Sequence, residues 1–336
     1  MISRRTWALP LVPLYAAALA AKDSLRASGM LRIDKLKWPV ISVGSLSAGG
    51  AGKTPVVIAL AQLLQAQSWN VDVLSRGYGR QETGVAQVLA DSPDAATRFG
   101  DEPVLIARHA HVPVWVADQR FAAGLAAEGS SPSRPLSLHL LDDGFQHRQL
   151  ARTLDIVLVT AADLDDALLP AGNRREPLSA LRRAHILIFR EEERADLEPR
   201  LRNLSLAQLK IWAIQRRLML PVPADQLSSG PHPLAFCAIA RPEGFWSMLQ
   251  QAGIAPIRKL IFPDHHAYNA ADIDKLLEIA RNSSATGFVT TSKDHVKLSP
   301  AMIDRLQTIG PLDALNLEVK FVDEAAVIRD LEARLP

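Results

Sequence analysis

The sequence predicts an α/β protein: a mostly parallel sheet between helices, a smaller second unit of the same kind, and a helical N-terminal segment. Three observations carry this. Short apolar runs alternate with helical patterns, the βαβ signature of a parallel sheet covered on both faces. A glycine-rich loop joins the first run to the first helical pattern. After a proline-rich break, the alternation resumes. Composition agrees. A chain of 336 residues suggests about two domains. A hydrophobic share of 48% is enough for sizeable cores and excludes a disordered chain. The single cysteine, Cys237, excludes an intramolecular disulfide and a multi-cysteine metal cluster and suits a reducing compartment. Basic and acidic residues number 38 and 36, too balanced for nucleic acid to be the main partner.

That balance is uneven. Residues 1–37 hold seven basic residues (Arg4, Arg5, Lys22, Arg26, Arg32, Lys35, Lys37) against Asp23 and Asp34. Thr6–Ala21 is sixteen residues without a charge, short of the roughly 20 a spanning helix needs, and contains Pro10 and Pro13. Three readings stand at this point: a secretory signal, a helix packed on the body, or an interfacial anchor. In the last, Trp7, Leu9, Leu11, Leu14 and Tyr15 insert and the cations meet an anionic phospholipid surface.

In chain order, the expected strands of the first unit are Pro39–Val43, Val71–Leu74, Val112–Ala117, Leu136–Leu141, Asp155–Val159 and Ile186–Phe189. Helical patterns such as Pro55–Ala66 and Asp101–His109 lie between them. Leu201–Arg217 reads as an amphipathic or connecting stretch. Met219–Pro233, with Pro221, Pro223, Pro231 and Pro233, marks a boundary. A second set follows: Leu234–Ile239, Ile257–Phe262, Gly287–Thr290 and Leu315–Phe321, then a closing helix at Asp323–Leu335. The expected division is therefore 1–36, an N-terminal membrane-anchoring helical segment; 37–217, the core; 218–322, the smaller α/β lobe; and 323–336, the closing helix.

The strand Pro39–Val43 runs into Gly44-Ser45-Leu46-Ser47-Ala48-Gly49-Gly50-Ala51-Gly52-Lys53-Thr54, and a helix pattern begins at Pro55. These are the parts of a Walker A phosphate loop, which makes the core a P-loop NTPase unit. Glycines let backbone N–H groups from Ser47 to Thr54 turn toward phosphates, and the helix start adds its positive dipole end. Lys53 would reach the β- and γ-phosphates of ATP, and the Thr54 hydroxyl would ligate Mg²⁺. Ser47 stands where the motif usually begins with glycine. A nucleoside triphosphate site places the chain in the cytosol, which removes the secretory reading and leaves the anchor on the cytosolic face of a membrane.

Leu136–Leu141 ends in Asp142-Asp143-Gly144. A buried strand ending in Asp resembles Walker B, whose carboxylate holds Mg²⁺. Adjacent strand residues point to opposite faces, so Asp142 and Asp143 are expected to differ in role. The other charged clusters are ambiguous alone. Gly100-Asp101-Glu102-Pro103 reads as helix capping. Ser75–Arg80 and Arg174-Arg175-Glu176-Pro177 read equally as ligand loops or solvated loops. Asp264-His265-His266 is either an acid–base pair or two surface histidines.

Together the blocks Ser42–Pro55, Ser75–Arg80, Gly100–Pro103, Ala117–Arg120, Asp142–His147, Pro170–Ala184, Arg241–Phe245, Phe262–Tyr268 and Thr290–Leu298 make a chain-long pattern. It resembles the tetraacyldisaccharide 4′-kinase (lipid A 4′-kinase) family, with DDGFQH and the REPLS block the most specific parts. The resemblance implies two α/β/α lobes joined by a hinge. It implies ATP-dependent phosphorylation of the 4′-hydroxyl of a membrane lipid, a tetraacylated glucosamine disaccharide 1-phosphate. It implies a peripheral or monotopic enzyme on the cytosolic face of a bacterial inner membrane, with no nucleic-acid partner; protein partners are not indicated. By resemblance, Asp101 is the catalytic acid–base residue paired with His265, Lys53 and Thr54 serve phosphates and Mg²⁺, and Asp142 and Asp143 serve Mg²⁺. Tyr78, Arg120, Gln146, His147, Arg175 and Glu176 line the cleft. Ser45 and Ser292 depart from the family pattern.

The competing expectation is a P-loop GTPase or ATPase acting as a regulatory switch at the membrane. Its base-reading [NT]-K-x-D motif is not matched by Thr291-Ser292-Lys293-Asp294, where Lys and Asp are adjacent.

Overall fold

The computed structural model describes residues 5–130, 136–204, 206, 209–220 and 222–335. Arg4 of the basic N-terminal group, Pro221 of the expected boundary and the terminal Pro336 lie outside them. After a short 3-10 turn, Thr6–Leu11, the chain forms α1 (Val12–Ala27), β1 (Val40–Ser45), α2 (Lys53–Ala66), β2 (Asn70–Ser75), β3 (Ala86–Gln87), α3 (Ala95–Phe99), α4 (Asp101–Ala110), β4 (Val114–Val116), α5 (Arg120–Ser130), β5 (Ser137–Asp142), β6 (Leu154–Leu158), α6 (Ala161–Asp165), β7 (Ile186–Arg190), α7 (Arg194–Asn203) and β8 (Lys210–Met219). It continues as β9 (Leu234–Cys237), α8 (Pro242–Gln251), β10 (Arg258–Ile261), α9 (Ala270–Asn282), β11 (Phe288–Thr291), α10 (Ser292–His295), α11 (Pro300–Gln307), β12 (Leu312–Phe321) and α12 (Glu324–Glu332).

Every strand joins one sheet, in the order β10-β9-β11-β12-β8-β7-β6-β1-β5-β2-β4-β3. From β2 to β8 neighbouring strands run parallel, as do β9 to β12. The halves meet where β8 and β12 pair antiparallel, from Asn316 opposite Met219 to Phe321 opposite Ile214. The chain leaves the first lobe along β8 and returns along β12. Two sets of apolar side chains cover the second lobe's strands, one around Phe236, Phe288 and Leu276, the other around Cys237, Phe245 and Leu249. On the first lobe, Val319, Phe321, Val327 and Leu331 of β12 and α12 join the core built on β1, α2 and β5.

Leu201–Arg217 differs from expectation. Its start is the end of α7, and from Lys210 it is strand, with Trp212 and Ile214 buried at period two. The charges at Arg216 and Arg217 hide the alternation, yet a strand between two lobes has one end at the cleft and tolerates them. The expected division at 217/218 falls inside this strand, two residues before its end.

The N-terminal segment lies on the first lobe by polar contacts, and α1 has no fully buried residue. Trp7 and Leu14 are 76% and 70% exposed, and Leu9 and Leu11 are exposed beside them. Tyr15 departs from the expected inserting set: its hydroxyl donates to Arg175 O at 3.0 Å. Arg26, expected among the lipid-facing cations, is turned inward beside Asp23, which also pairs with Arg148. Among the described residues no helix is long and apolar enough to cross a membrane.

Candidate active site

β1 lies between β5 and β6 in the sheet, with Val43 in register with Asp142. The phosphate loop therefore leaves the sheet beside the acidic end of β5, at the carboxyl edge where parallel sheets bind ligands. Gly52 caps α2 at φ 97°, backbone that a side chain resists. Pro55 occupies the first turn of α2, where no N–H is needed. Ser47 is buried, and its hydroxyl donates to Asp163. Ala48 N donates to Asn173 O at 2.9 Å, and Arg175 N donates to Leu46 O at 2.7 Å. The segment around Asn173–Glu176 thus pins the start of the loop. Lys53 Nζ donates to Ser45 Oγ at 3.3 Å, and Ser45 Oγ donates to Ser47 O at 2.9 Å, so the departure at Ser45 still steadies the lysine.

Asp142 and Asp143 have opposite environments. Asp142 accepts from Ser75 Oγ at 3.0 Å through Oδ2, while its buried Oδ1 has no partner. Burial, with Glu102 and Asp143 nearby, pushes its carboxyl up to about 7. Asp143 sits at φ 47° and turns to face Arg175, which grips it bidentately at 2.7 and 2.6 Å. Lys53 Nζ stands 3.5 Å away. Burial raises its carboxyl, but Lys53 and Arg175 outweigh that and hold it at about 2. The orphaned oxygen of Asp142, beside the first turn that carries Thr54, fits a divalent cation. Asp143, expected to share Mg²⁺, has both oxygens engaged by Arg175. Among the described residues no set of three His, Cys, Asp or Glu clusters to hold a metal.

The acid–base pair is tertiary. Asp101 opens α4 on the first lobe; its Oδ1 accepts from Glu102 N at 2.9 Å. Its Oδ2 lies 3.0 Å from Nδ1 of His265, which stands at φ 58° in the loop after β10 on the second lobe. Burial works against the Asp101 charge, but the His265 hydrogen bond and Lys293 hold its carboxyl below the usual range. The same bond raises His265. The Tyr78 ring packs on His265 at 5.3 Å. His266 faces away, bonded to Asp272 at 2.8 Å and stacked on Phe262 at 5.1 Å.

The other expected cleft residues divide. Gln146 donates to Ser45 O at 2.8 Å. Arg120 is buried in the field of Asp142 and Asp143, its Nε without a partner. Burial and the cations Arg120, Arg152 and Arg76 hold His147 down at about 4. Glu176 accepts from Arg183 at 3.3 Å, in the field of Asp23 and Arg26, on the α1 side.

A cavity of about 830 Å³ opens between the lobes, lined by Gly49–Pro55, Glu102, His265 and Lys293. Arg190, Arg216 and Arg241 reach it, with apolar side chains such as Ile214, Leu218 and Leu317 from β8 and β12. Sequence reasoning gave these residues no role. Two strands a hundred residues apart build that wall, so no local pattern marks it. Two of these arginines meet the loop: Arg190 donates to Ala51 O at 3.3 Å, and a Cβ at Gly50 would stand 2.9 Å from Arg241 Cγ.

Comparison with known proteins gives consistent findings. A family model described as LpxK, tetraacyldisaccharide-1-P 4′-kinase, matches residues 4–336. The tetraacyldisaccharide 4′-kinase of Koribacter versatilis is 40% identical over 329 residues, covering 96% of this chain and 97% of that one. That of Acidovorax ebreus is 37% identical over 331 residues, covering 97% and 89%. Among solved structures, the "apo" form of LpxK from Aquifex aeolicus in complex with ATP superposes with a TM-score of 0.76. It is 32% identical in sequence, with 99% of both chains covered.

Proposed function

We infer that this chain, which belongs to the tetraacyldisaccharide-1-P 4′-kinase family, transfers the γ-phosphoryl of ATP to the 4′-hydroxyl of a tetraacylated glucosamine disaccharide 1-phosphate, a late step in making the lipid A anchor. One observation carries the reading: Asp101 and His265, from different lobes, pair at 3.0 Å beside a cavity that the phosphate loop lines. A nucleotide site alone needs no such pair; an acceptor hydroxyl does.

The chain's groups divide the work. Backbone N–H groups of Gly49–Thr54 and the Lys53 ammonium hold the phosphates. Arg175, locked on Asp143, keeps that carboxylate from repelling them. Asp101 accepts the hydroxyl proton, and His265 orients Asp101 and spreads the charge. Mg²⁺, held by Asp142 and Thr54, would neutralise phosphate charge. Tyr78, Arg120, Gln146 and His147 bound the acceptor side. The switch reading is disfavoured because Asp294, where a base reader would have to stand, is buried. It accepts from Ala238 N at 3.0 Å and Tyr268 OH at 3.2 Å.

The acceptor's acyl chains stay in a bilayer, so the enzyme works at its surface. Exposed Trp7, Leu9, Leu11 and Leu14 support docking of the N-terminal segment on the cytosolic face of the inner membrane, with Arg5 and Lys22 toward anionic phospholipid. The test is transfer of labelled phosphate from ATP to the detergent-dispersed disaccharide 1-phosphate. Labelled 4′-phosphate product is expected. Nucleotide hydrolysis without lipid product overturns the kinase reading.

A further inference from the structure

Lys293 has so far entered only as a charge near Asp101 and a lining residue of the cavity, yet the acid–base pair is arranged around it. Its Nζ stands 3.1 Å from Glu102 Oε1, 3.9 Å from Asp101 Oδ2 and 3.9 Å from Asp264 Oδ1. His265 Nε2 is 3.5 Å away. Glu102 and Asp101 belong to α4 of the first lobe; Asp264 and His265 belong to the second. The next residue, Asp294, ties α10 into the second lobe through Ala238 N, Tyr268 OH and Lys297 Nζ, the last at 2.7 Å. The backbone beneath Lys293 is therefore fixed to one lobe while its ammonium reaches the other.

Three carboxylates converge at this point, and like charges so placed disfavour one another's ionised forms. Among the described residues, Lys293 is the cation within 4 Å of all three. The other groups facing the cluster do less. Lys297 acts on Asp101 from a greater distance, Tyr78 offers a neutral ring to His265, and Asp142 adds negative charge near Glu102. Arg190, Arg216 and Arg241 lie along the cavity wall, and none forms an ion pair with Asp101, Glu102 or Asp264 among the described residues.

We propose that Lys293 is a positioning residue that joins Asp101 to His265 across the lobe boundary and keeps the pair poised for proton transfer. The proposal rests on the kinase reading for its consequence, and on geometry for its substance. With the lobes together, one ammonium satisfies the carboxylates and leaves Asp101 free to accept a proton. Without it, the negative charge around Asp101 goes uncompensated, and Asp101 loses part of its capacity as a base.

The experiment uses the full chain carrying Lys293→Met, with two readouts. By NMR, the His265 imidazole is expected to titrate at higher pH than in the wild type, because a cation that opposes its protonation is gone. In kinetics, the acid limb of kcat/KM for the lipid acceptor moves up, so activity falls about tenfold or more near the limb and by less at alkaline pH. Lys293→Arg restores most of the profile. An unmoved His265 titration with an equal loss at every pH overturns the proposal. So does a loss confined to the KM for ATP, which would make Lys293 a nucleotide contact. If the Met variant does not fold, Lys293→Gln removes the same charge and is read the same way. A wild-type protein that transfers no phosphate to the disaccharide would defeat the kinase reading, and the imidazole titration would still decide this one.

Discussion

In the first lobe, the phosphate loop, Asp142 and Asp143 stand at the ends of adjacent parallel strands, and Arg175 and Lys53 already satisfy one carboxylate. In the second lobe, His265 and Lys293 stand on a loop and a four-residue helix, and their partners Asp101 and Glu102 lie on the opposite lobe. The first arrangement is complete within one sheet edge. The second exists only while β8 and β12 hold the lobes together. Nucleotide phosphates can be held by a local device, but a pair suited to take a proton from a second substrate is assembled across a boundary, where it can respond to lobe movement.

The sharpest test of this contrast is Asp101→Asn. Loss of the base lowers kcat by about 10²–10⁴-fold, while ATP binding by calorimetry stays near wild type. Combined with His265→Ala, the loss is less than additive, as for residues acting as one unit. Strict additivity would break the idea of a cross-lobe pair. Next comes Lys53→Ala, expected to cost about 10²–10³-fold in transfer and to weaken ATP binding as well. The variant folds, because Arg175 still holds Asp143. Transfer near wild-type rate would unseat the first lobe as the phosphate device.

A third region extends the comparison. Trp7→Glu with Leu14→Glu replaces two exposed apolar side chains that touch neither lobe's core. Partitioning onto anionic vesicles should fall about 10- to 100-fold, with ATP affinity unchanged; full retention on vesicles would place the anchor elsewhere.

The smallest effect is in pH. His265 is raised in the folded chain, so its contribution is present below its ordinary 6.5 and fades as pH climbs through the folded value. Asp101 is lowered, so its contribution is present above 3.8 and is lost as pH falls through the folded value. The pair therefore joins the lobes most strongly between those limits. The wild type should exceed His265→Gln in stability by about 1 kcal/mol or less, the gap being wider in mild acid than in mild alkali by thermal unfolding. A gap independent of pH would show that the pair does not bridge the lobes as ions.

Much of this was legible in the chain, as the alternation of strands and helices shows. Strand, glycines, Lys53-Thr54 and helix are contiguous, and their chemistry follows from spacing alone. Asp142-Asp143 at a strand end was equally visible. Strand alternation already set their roles apart, although the family resemblance gave both to Mg²⁺; how they differ depends on Arg175, thirty-two positions on from Asp143. Asp101 by itself looked like part of a helix cap; Gly100 holds the cap position, and Asp101, the first helical residue, accepts the N–H of its neighbour Glu102. Its partner, 164 residues away, is what makes it more. Which of His265 and His266 turns to the cleft was undecidable locally, since it depends on Asp272 and Phe262 claiming the other.

The sequence by itself determined the elements whose signals are local: the βαβ alternation, the phosphate loop, the acidic strand end and an apolar, basic N-terminus. Each rests on periodicity or on backbone freedom within a few residues. Tertiary structure alone decided that Leu201–Arg217 contributes a linking strand, that Tyr15 and Arg26 turn inward, and that Lys293 meets three carboxylates. These depend on which groups are brought close and shielded from water, and charge interactions grow strong only at such short, desolvated distances.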